Sequence, residues 1–115
     1  MTADSSRVEL LVPNDDRLIV AIDPVVAHAA ERAGLSSRER QELAAEAARA
    51  CEEAFSRAVS NGSSNPLLRV LVDDSPNRVE VSIEPYAGSM AAGTREANPR
   101  ITIVKDHTPS AHSKR

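Results

Sequence analysis

Apolar and polar positions alternate with two different periods along this chain, and each change of period marks an element boundary. Val8–Val12 is a short apolar run that ends at Pro13 and a turn-forming Asn-Asp-Asp segment, which predicts a strand. Beyond that turn, apolar residues recur three to four positions apart up to residue 33. This spacing is typical of an amphipathic helix, and Gly34 supplies a stop signal at its end.

Pro24 leaves this helical segment open to two interpretations. In the first, one helix begins at an N-cap among residues 14–16 and is kinked by the proline, which costs about 3 kcal/mol in a helix interior. In the second, Arg17–Ile22 forms a strand, and Asp23 caps a shorter helix that has Pro24 at its first position. We favour the kinked helix, because the apolar spacing continues across the proline.

The clearest helix signal begins at Ser36. Ser36 and Glu39 have the spacing of a capping box, and neither Gly nor Pro interrupts the Ala-, Glu- and Arg-rich stretch from there to Ser60. The apolar stripe of this helix consists mainly of small side chains: Leu43, Ala47, Ala50, Cys51, Ala54 and Ala58. Because small side chains let a sheet or a second helix approach, we expect close packing against this stripe.

The second half of the chain predicts a hairpin and a last strand. Leu67–Val72 and Arg78–Ile83 flank a turn at residues 73–77, and the second run alternates apolar with polar residues, which predicts one solvent-exposed face. Residues 85–99 lack periodicity and are expected to form a long loop before a strand at Arg100–Val104. The order β-α-α-β-β-β predicts an α+β fold: an antiparallel sheet of about four strands with two main helices on one face.

Length and composition narrow the functional classes. The 115 residues suffice for one domain, which we place at residues 7–105 between an N-terminal tail, 1–6, and a disordered C-terminal tail, 106–115. A net charge of −3 and an aromatic content of 2% argue against nucleic-acid binding. The lone Cys51 excludes an intramolecular disulfide and indicates a reducing compartment. With no membrane-length apolar run and no signal-peptide pattern, we expect a cytoplasmic protein without membrane contact.

The long helix resembles that of a known family. Gly34-Leu35-Ser36, followed at residues 48–58 by Ala-Arg-Ala-Cys-Glu-Glu-Ala-Phe-Ser-Arg-Ala, is similar to the helix of the anti-sigma-factor serine kinases in the histidine-kinase-like (GHKL) ATPase superfamily. The likeness covers about residues 7–104 and lies in spacing and apolar pattern, with little motif identity. It implies a shortened, GHKL-like two-layer sandwich and a bacterial partner-switching role. In that family ATP lies between the helices and the sheet.

The resemblance also implies positions for a nucleotide site. It puts Glu53 where the family has its Mg-coordinating asparagine, and Arg49 where the family has its catalytic glutamate. A guanidinium stays protonated, so Arg49 cannot act as a general base. The adenine-binding aspartate corresponds to Glu84, or to Pro85 if the strand shifts by one residue. The alternation puts Glu84 on the polar face of its strand, and Gly88 remains of the glycines that follow. If nucleotide is bound, Glu53, Glu84 and Gly88 are the residues implied to bind it.

Ordinary structural roles also account for the candidate residues. Glu53 suits a solvated helix face on which Arg49 and Arg57 lie four positions away on either side. Cys51 suits a buried, unreactive thiol on the small-residue stripe. The histidines lack the spacing of metal ligands, at His28, His107 and His112. We therefore predict no catalytic residue, no metal site and no cofactor.

The altered ATP-binding features lead to a choice between functions. The favoured hypothesis is a non-catalytic protein-binding regulatory module that resembles an anti-sigma factor. Its partner would be a sigma factor or an anti-anti-sigma-like regulator, and the resemblance also admits a homodimer. The alternative is a divergent ATP-binding serine-protein kinase in which Glu53 ligates Mg²⁺. A third interpretation is a small α+β protein of unrelated role.

Overall fold

One antiparallel sheet, covered by helices on one face, forms the body of the molecule. The computed structural model describes residues 6–62, 64–86 and 100–107. No helix in this described part is both long and apolar enough to cross a lipid bilayer. The elements follow in this order: β1 (Ser6–Pro13), α1 (Asp16–Val20), α2 (Ile22–Ala33), α3 (Ser37–Ser60), β2 (Leu67–Ser75), β3 (Arg78–Pro85) and β4 (Ile101–Asp106).

The four strands lie in chain order, each antiparallel to its neighbour. One face of the sheet carries the buried aliphatic side chains, against which α2 packs over β2 and β3 while α3 packs over β3 and β4. The buried strand residues on this face are Val12, Leu68, Val70, Val72, Val79, Val81 and Ile83. The α+β prediction, with a four-stranded antiparallel sheet and two main helices packed against it, is confirmed.

The kinked helix is confirmed, and the strand interpretation of Arg17–Ile22 is wrong. Asp15 caps α1, where its side chain accepts the backbone N–H two residues further on at 2.9 Å. Pro24 has no N–H to donate to the carbonyl of Val20, and its ring crowds that carbonyl, so α1 ends at Val20. The helical path resumes at once as α2 and ends at Gly34, whose φ of 92° is left-handed.

The capping box of α3 is confirmed. The Ser36 hydroxyl oxygen accepts the Glu39 N–H at 3.1 Å, and the Glu39 carboxylate accepts the Ser36 N–H at 2.7 Å. The predicted small-residue stripe is buried, and Ala44 and Phe55 are buried beside it. On α2 the buried face includes Ala29, Ala30 and Ala33.

The turn predicted at residues 73–77 is wrong in its extent. Strand β2 runs on to Ser75, and the turn consists of Pro76 and Asn77, the latter with a left-handed φ of 66°. The cause is Asp74, which faces the helices and is buried although it is charged. Aspartate is an ordinary turn signal in sequence, but here the Ser6 hydroxyl of β1 and the Arg32 guanidinium of α2 both donate hydrogen bonds to the Asp74 carboxylate within the strand.

Other boundaries differ by one or two residues. Strand β1 begins at Ser6 and β4 ends at Asp106, so both of these residues, placed in the tails, belong to the sheet. Strand β4 begins one residue later and ends two residues later than predicted. Strand β3 continues to Pro85. The rest of the predicted loop, at residues 87–99, lies outside the described part of the chain.

Candidate functional site

Glu53 lies on the exposed side of α3. Its carboxylate accepts a hydrogen bond from Arg57 Nη2 at 2.6 Å. Arg57 is one of the two arginines predicted to lie four positions from Glu53 on this helix. Arg49 is also exposed and lies one turn before Glu53. The glutamate thus has the surroundings of a solvated helix face, with a neutralising cation of its own.

Glu84 lies on the sheet face that no described helix covers. Its Oε1 accepts a hydrogen bond from Arg100 Nε at 2.9 Å, and Arg69 Nη1 lies 3.7 Å from Oε2. Because its neighbour Ile83 points into the core beneath the helices, Glu84 points away from them. The sheet therefore separates Glu84 from Glu53, and the structure does not bring these two carboxylates together. Gly88 lies outside the described residues.

Two polar contacts join α3 to β4. Lys105 Nζ donates to Glu42 Oε1 at 3.0 Å, a hydrogen bond that raises the pKa of Lys105. About one turn earlier on α3, His107 Nδ1 lies 2.9 Å from Glu39 Oε1. These polar side chains occupy the rim between the helix layer and the sheet, the region that the resemblance would give to nucleotide.

Cys51 is fully buried on the face of α3 that contacts the core, as predicted. Burial, with a smaller contribution from the charge of Glu52, raises the pKa of its thiol to about 12. Within residues 6–62, 64–86 and 100–107, no three His, Cys, Asp or Glu side chains cluster so as to hold a metal ion. The thiol is therefore a packing group of the core.

The raised thiol pKa predicts that Cys51 reacts slowly in the native protein. Against an aromatic disulfide reagent, we expect a rate lower than that of the chain in denaturant by roughly a hundredfold or more, because both access and thiolate content are reduced. The measurement is thiol release followed by absorbance, with and without denaturant. Equal rates in the two conditions would contradict the burial of this residue.

A depression of about 350 Å³ lies between α1 and α3 at one end of the molecule. Its apolar lining comes from Ile19, Phe55 and Val59, of which the first two also belong to the core. Two carboxylates, Asp16 and Glu52, lie in the same lining. Within the described part of the chain, neither carboxylate has an ion-pair partner within 4 Å. The depression thus combines an apolar centre with unneutralised negative charge.

Large apolar side chains are exposed on the elements that form this depression. Val20 is 67% exposed, Val59 50% and Leu18 44%. A one-turn helix can bury only one side of the run Leu18-Ile19-Val20, and α1 buries Ile19. The sequence pattern does not predict this surface, because Leu18 and Ile19 fit the apolar stripe of one long amphipathic helix. Three consecutive apolar residues ahead of a helix-breaking proline were the available signal.

Other depressions on the described surface lack exposed large aliphatic side chains. One of about 440 Å³ lies beside the turn between β2 and β3, and its Arg7 and Asp73 already pair with one another at 2.6 Å. Another, of about 400 Å³, lies between the first turns of α2 and α3 and is lined mainly by polar and small side chains. Neither combines exposed large aliphatic residues with unpaired charge, as the depression between α1 and α3 does.

No family model matches this chain, and no curated protein matches it in sequence. The likeness to the anti-sigma-factor kinases therefore consists of the spacing and apolar pattern described above. The described surfaces of the molecule are therefore the basis for a functional proposal.

Proposed function

We propose that this protein is a non-catalytic protein-binding regulatory module of the bacterial cytoplasm, resembling an anti-sigma factor that has lost ATP binding. The observation that supports binding is the exposed apolar surface around the depression between α1 and α3. The partner class, a sigma factor or an anti-anti-sigma-like regulator, comes from the resemblance of the helix pattern to that family.

The chemistry of the depression suits a protein segment better than a small ligand. It is open and shallow, and the aliphatic side chains of Leu18, Val20 and Val59 on its two elements are exposed. Asp16 and Glu52 add negative charge beside this apolar centre. The matching partner surface is an apolar side chain flanked by two lysine or arginine residues, since the apolar side chain fills the depression and each cation pairs with one carboxylate.

The positions of the nucleotide-site candidates support the loss of ATP binding. Glu53 and Glu84 lie on opposite sides of the sheet, and each already accepts a hydrogen bond from an arginine. The kinase alternative requires Glu53 to leave Arg57 and ligate Mg²⁺. It also requires a base other than Arg49.

Calorimetric titration with ATP and with ADP, each with and without Mg²⁺, tests this loss. We expect no binding heat up to millimolar nucleotide while circular dichroism shows the fold intact. A dissociation constant of about 1 μM, or roughly −8 kcal/mol, would contradict the proposal and favour the kinase. In that event Glu53→Ala should abolish only the Mg²⁺-dependent part of binding.

A charge placed in the apolar surface tests the binding role. We expect Val20→Asp to weaken binding to a purified sigma factor or anti-anti-sigma protein by about 10- to 100-fold, because it introduces a charge into a contact that must be desolvated. The measurement is titration calorimetry against a panel of both protein classes from the same organism. Val104→Asp is the matched control, since Val104 is exposed on the far face of the sheet.

Two outcomes would overturn the assignment of this surface. Equal loss of affinity in Val20→Asp and Val104→Asp would mean that the α1–α3 surface is not the contact. Failure of every member of the panel to bind the unmodified chain at millimolar concentration would reject the partner class itself.

A further inference from the structure

We propose that two copies of this chain pair through the free edge of β1, with Val8 on the two-fold axis, to form one continuous eight-stranded antiparallel sheet. This dimer goes beyond the proposed function and does not depend on it. The depression between α1 and α3 begins at Asn14, after β1 has ended, whereas the pairing uses residues 6–10.

The outer edge of β1 carries backbone N–H and C=O groups that no described residue bonds. The Tyr86 N–H donates to the Leu67 carbonyl, so the odd-numbered residues of β2 bond toward β3 and the even-numbered ones bond toward β1. In the observed register, the even-numbered residues of β1 lie opposite the even-numbered residues of β2, so these are the β1 residues that bond to β2. The N–H and C=O groups of Arg7, Glu9 and Leu11 therefore point away from the sheet, where no described residue bonds them.

The charges of Arg7 and Glu9 favour the pairing of two copies at this edge. When an antiparallel copy is centred on Val8, Arg7 of each chain lies directly across from Glu9 of the other, and both residues have open backbone groups. Each such pair exchanges two backbone hydrogen bonds and also places opposite charges side by side. The two-fold axis produces this match twice, which makes the segment complementary to itself.

Other two-fold registers lack this match. A pairing centred on Arg7 puts two guanidinium groups opposite each other, and one centred on Glu9 puts two carboxylates opposite each other. Pairings centred on Leu10 or Leu11 involve Pro13, which has no N–H and whose carbonyl already accepts the Asp15 N–H. The charge pattern thus selects the register centred on Val8.

The exposure of Val8 also favours pairing at this edge. This residue faces the same side of the sheet as the core, yet it is 40% exposed because α2 and α3 pack over β2, β3 and β4 and leave the β1 edge largely uncovered. On the two-fold axis, the two Val8 side chains form a non-hydrogen-bonded pair, the type of pair that brings side chains closest. Pairing would bury both of them.

The charges within each copy are compatible with the added pair. Arg7 Nε already donates to Asp73 Oδ1 at 2.6 Å, and Arg69 Nε lies 2.9 Å from Glu9 Oε2. In the dimer these four side chains form one row across the interface. Asp73 and Arg7 of one copy are followed by Glu9 and Arg69 of the second copy. Charges alternate in sign along this row, so the join adds attraction without a like-charge contact.

A pair of charge-reversal variants tests this register. Alone, R7E places four carboxylates at the join and E9R places four guanidinium groups there, so each variant should be monomeric, with a dimer dissociation constant raised at least about tenfold. Mixed in equal amounts, the two variants restore both opposite-charge pairs. We expect the mixture to form a heterodimer, while the unmodified chain is a dimer in sedimentation velocity from micromolar to millimolar concentration.

Crosslinking locates the axis independently. With Val8→Cys, the new thiols face each other across the two-fold axis, and mild oxidation should yield a covalent dimer, since the spacing of such a pair suits a disulfide. Leu11→Cys is the control: Leu11 is at least as exposed as Val8 on the same strand, but its two copies are about 20 Å apart in this register. Buried Cys51 does not compete.

The outcomes separate this proposal from the alternatives. A monomeric unmodified chain throughout the concentration range would overturn it. A dimer that R7E leaves unchanged, or that Leu11→Cys crosslinks as well as Val8→Cys does, would place the interface elsewhere and would also overturn it. If R7E and E9R fail to fold, the crosslinking result alone decides, because it leaves the charges unchanged.

Discussion

Phe55→Ala is expected to lower the free energy of unfolding by about 3–5 kcal/mol. Phe55 is 3% exposed and fills the core where α3 otherwise presents alanines, so the neighbouring side chains are too short to close the cavity that the substitution leaves. The same residue forms part of the lining of the depression between α1 and α3, together with Ile19. Loss of the ring should therefore loosen α1 as well as the core.

The measurement is urea unfolding followed by circular dichroism. Because a domain of this size has only about 5–15 kcal/mol of stability in total, Phe55→Leu serves as a second variant that retains most of the volume and should cost less than about 2 kcal/mol. Val59→Ala is the exposed control on the same helix, with an expected change within about 0.5 kcal/mol. A loss below about 1 kcal/mol for Phe55→Ala would mean that the residue is not packed as described.

Arg32→Ala is expected to cost about 1–3 kcal/mol. Asp74 is 4% exposed on the helix-facing side of β2, where it accepts a hydrogen bond from the Ser6 hydroxyl at 3.0 Å and one from Arg32 Nε at 3.4 Å. Removal of the guanidinium leaves the buried Asp74 carboxylate with the Ser6 hydroxyl as its remaining described side-chain donor. The expected loss of stability is smaller than for a fully buried ion pair, because half of the Arg32 side chain is exposed to water.

Two further variants separate loss of charge pairing from loss of helix packing. Adding Asp74→Asn to Arg32→Ala should recover part of the stability, since an amide keeps an acceptor for Ser6 and removes the unpaired charge. Arg38→Ala on α3 removes an exposed arginine and should change stability by no more than about 0.5 kcal/mol. If Arg38→Ala and Arg32→Ala cost the same, Asp74 does not depend on Arg32.

The elements that sequence predicted correctly are those whose signals are local. The capping box at Ser36, the left-handed stop at Gly34 and the kink before Pro24 each follow from the bonding of a few neighbouring residues. The hydrophobic alternation of β3 likewise placed its core face correctly. One exception on that strand is Ser82, which is buried on the face opposite the core although the alternation predicted it to be exposed.

The candidate site was less accessible to sequence. The resemblance directed attention to Glu53 and Glu84, whose separation by the sheet becomes visible only when β3 and α3 are placed in three dimensions. The exposed apolar surface depends on the end of α1 at Val20, which leaves Leu18 and Val20 without a helical neighbour to cover them. Hydrophobic residues are assigned to the core by default, so a pattern alone does not reveal those that stay outside.

The sequence by itself determined the succession of helices and strands, the α+β class and the small-residue stripe of α3, because caps, proline geometry and hydrophobic period act over a few residues. The tertiary structure decided where charges are buried and which edges stay open. Asp74 becomes a strand residue only because Ser6 and Arg32, far away in the chain, converge on it. Likewise, no described strand pairs with the outer edge of β1, because the sheet order places β1 outermost and the helices pack over the other strands.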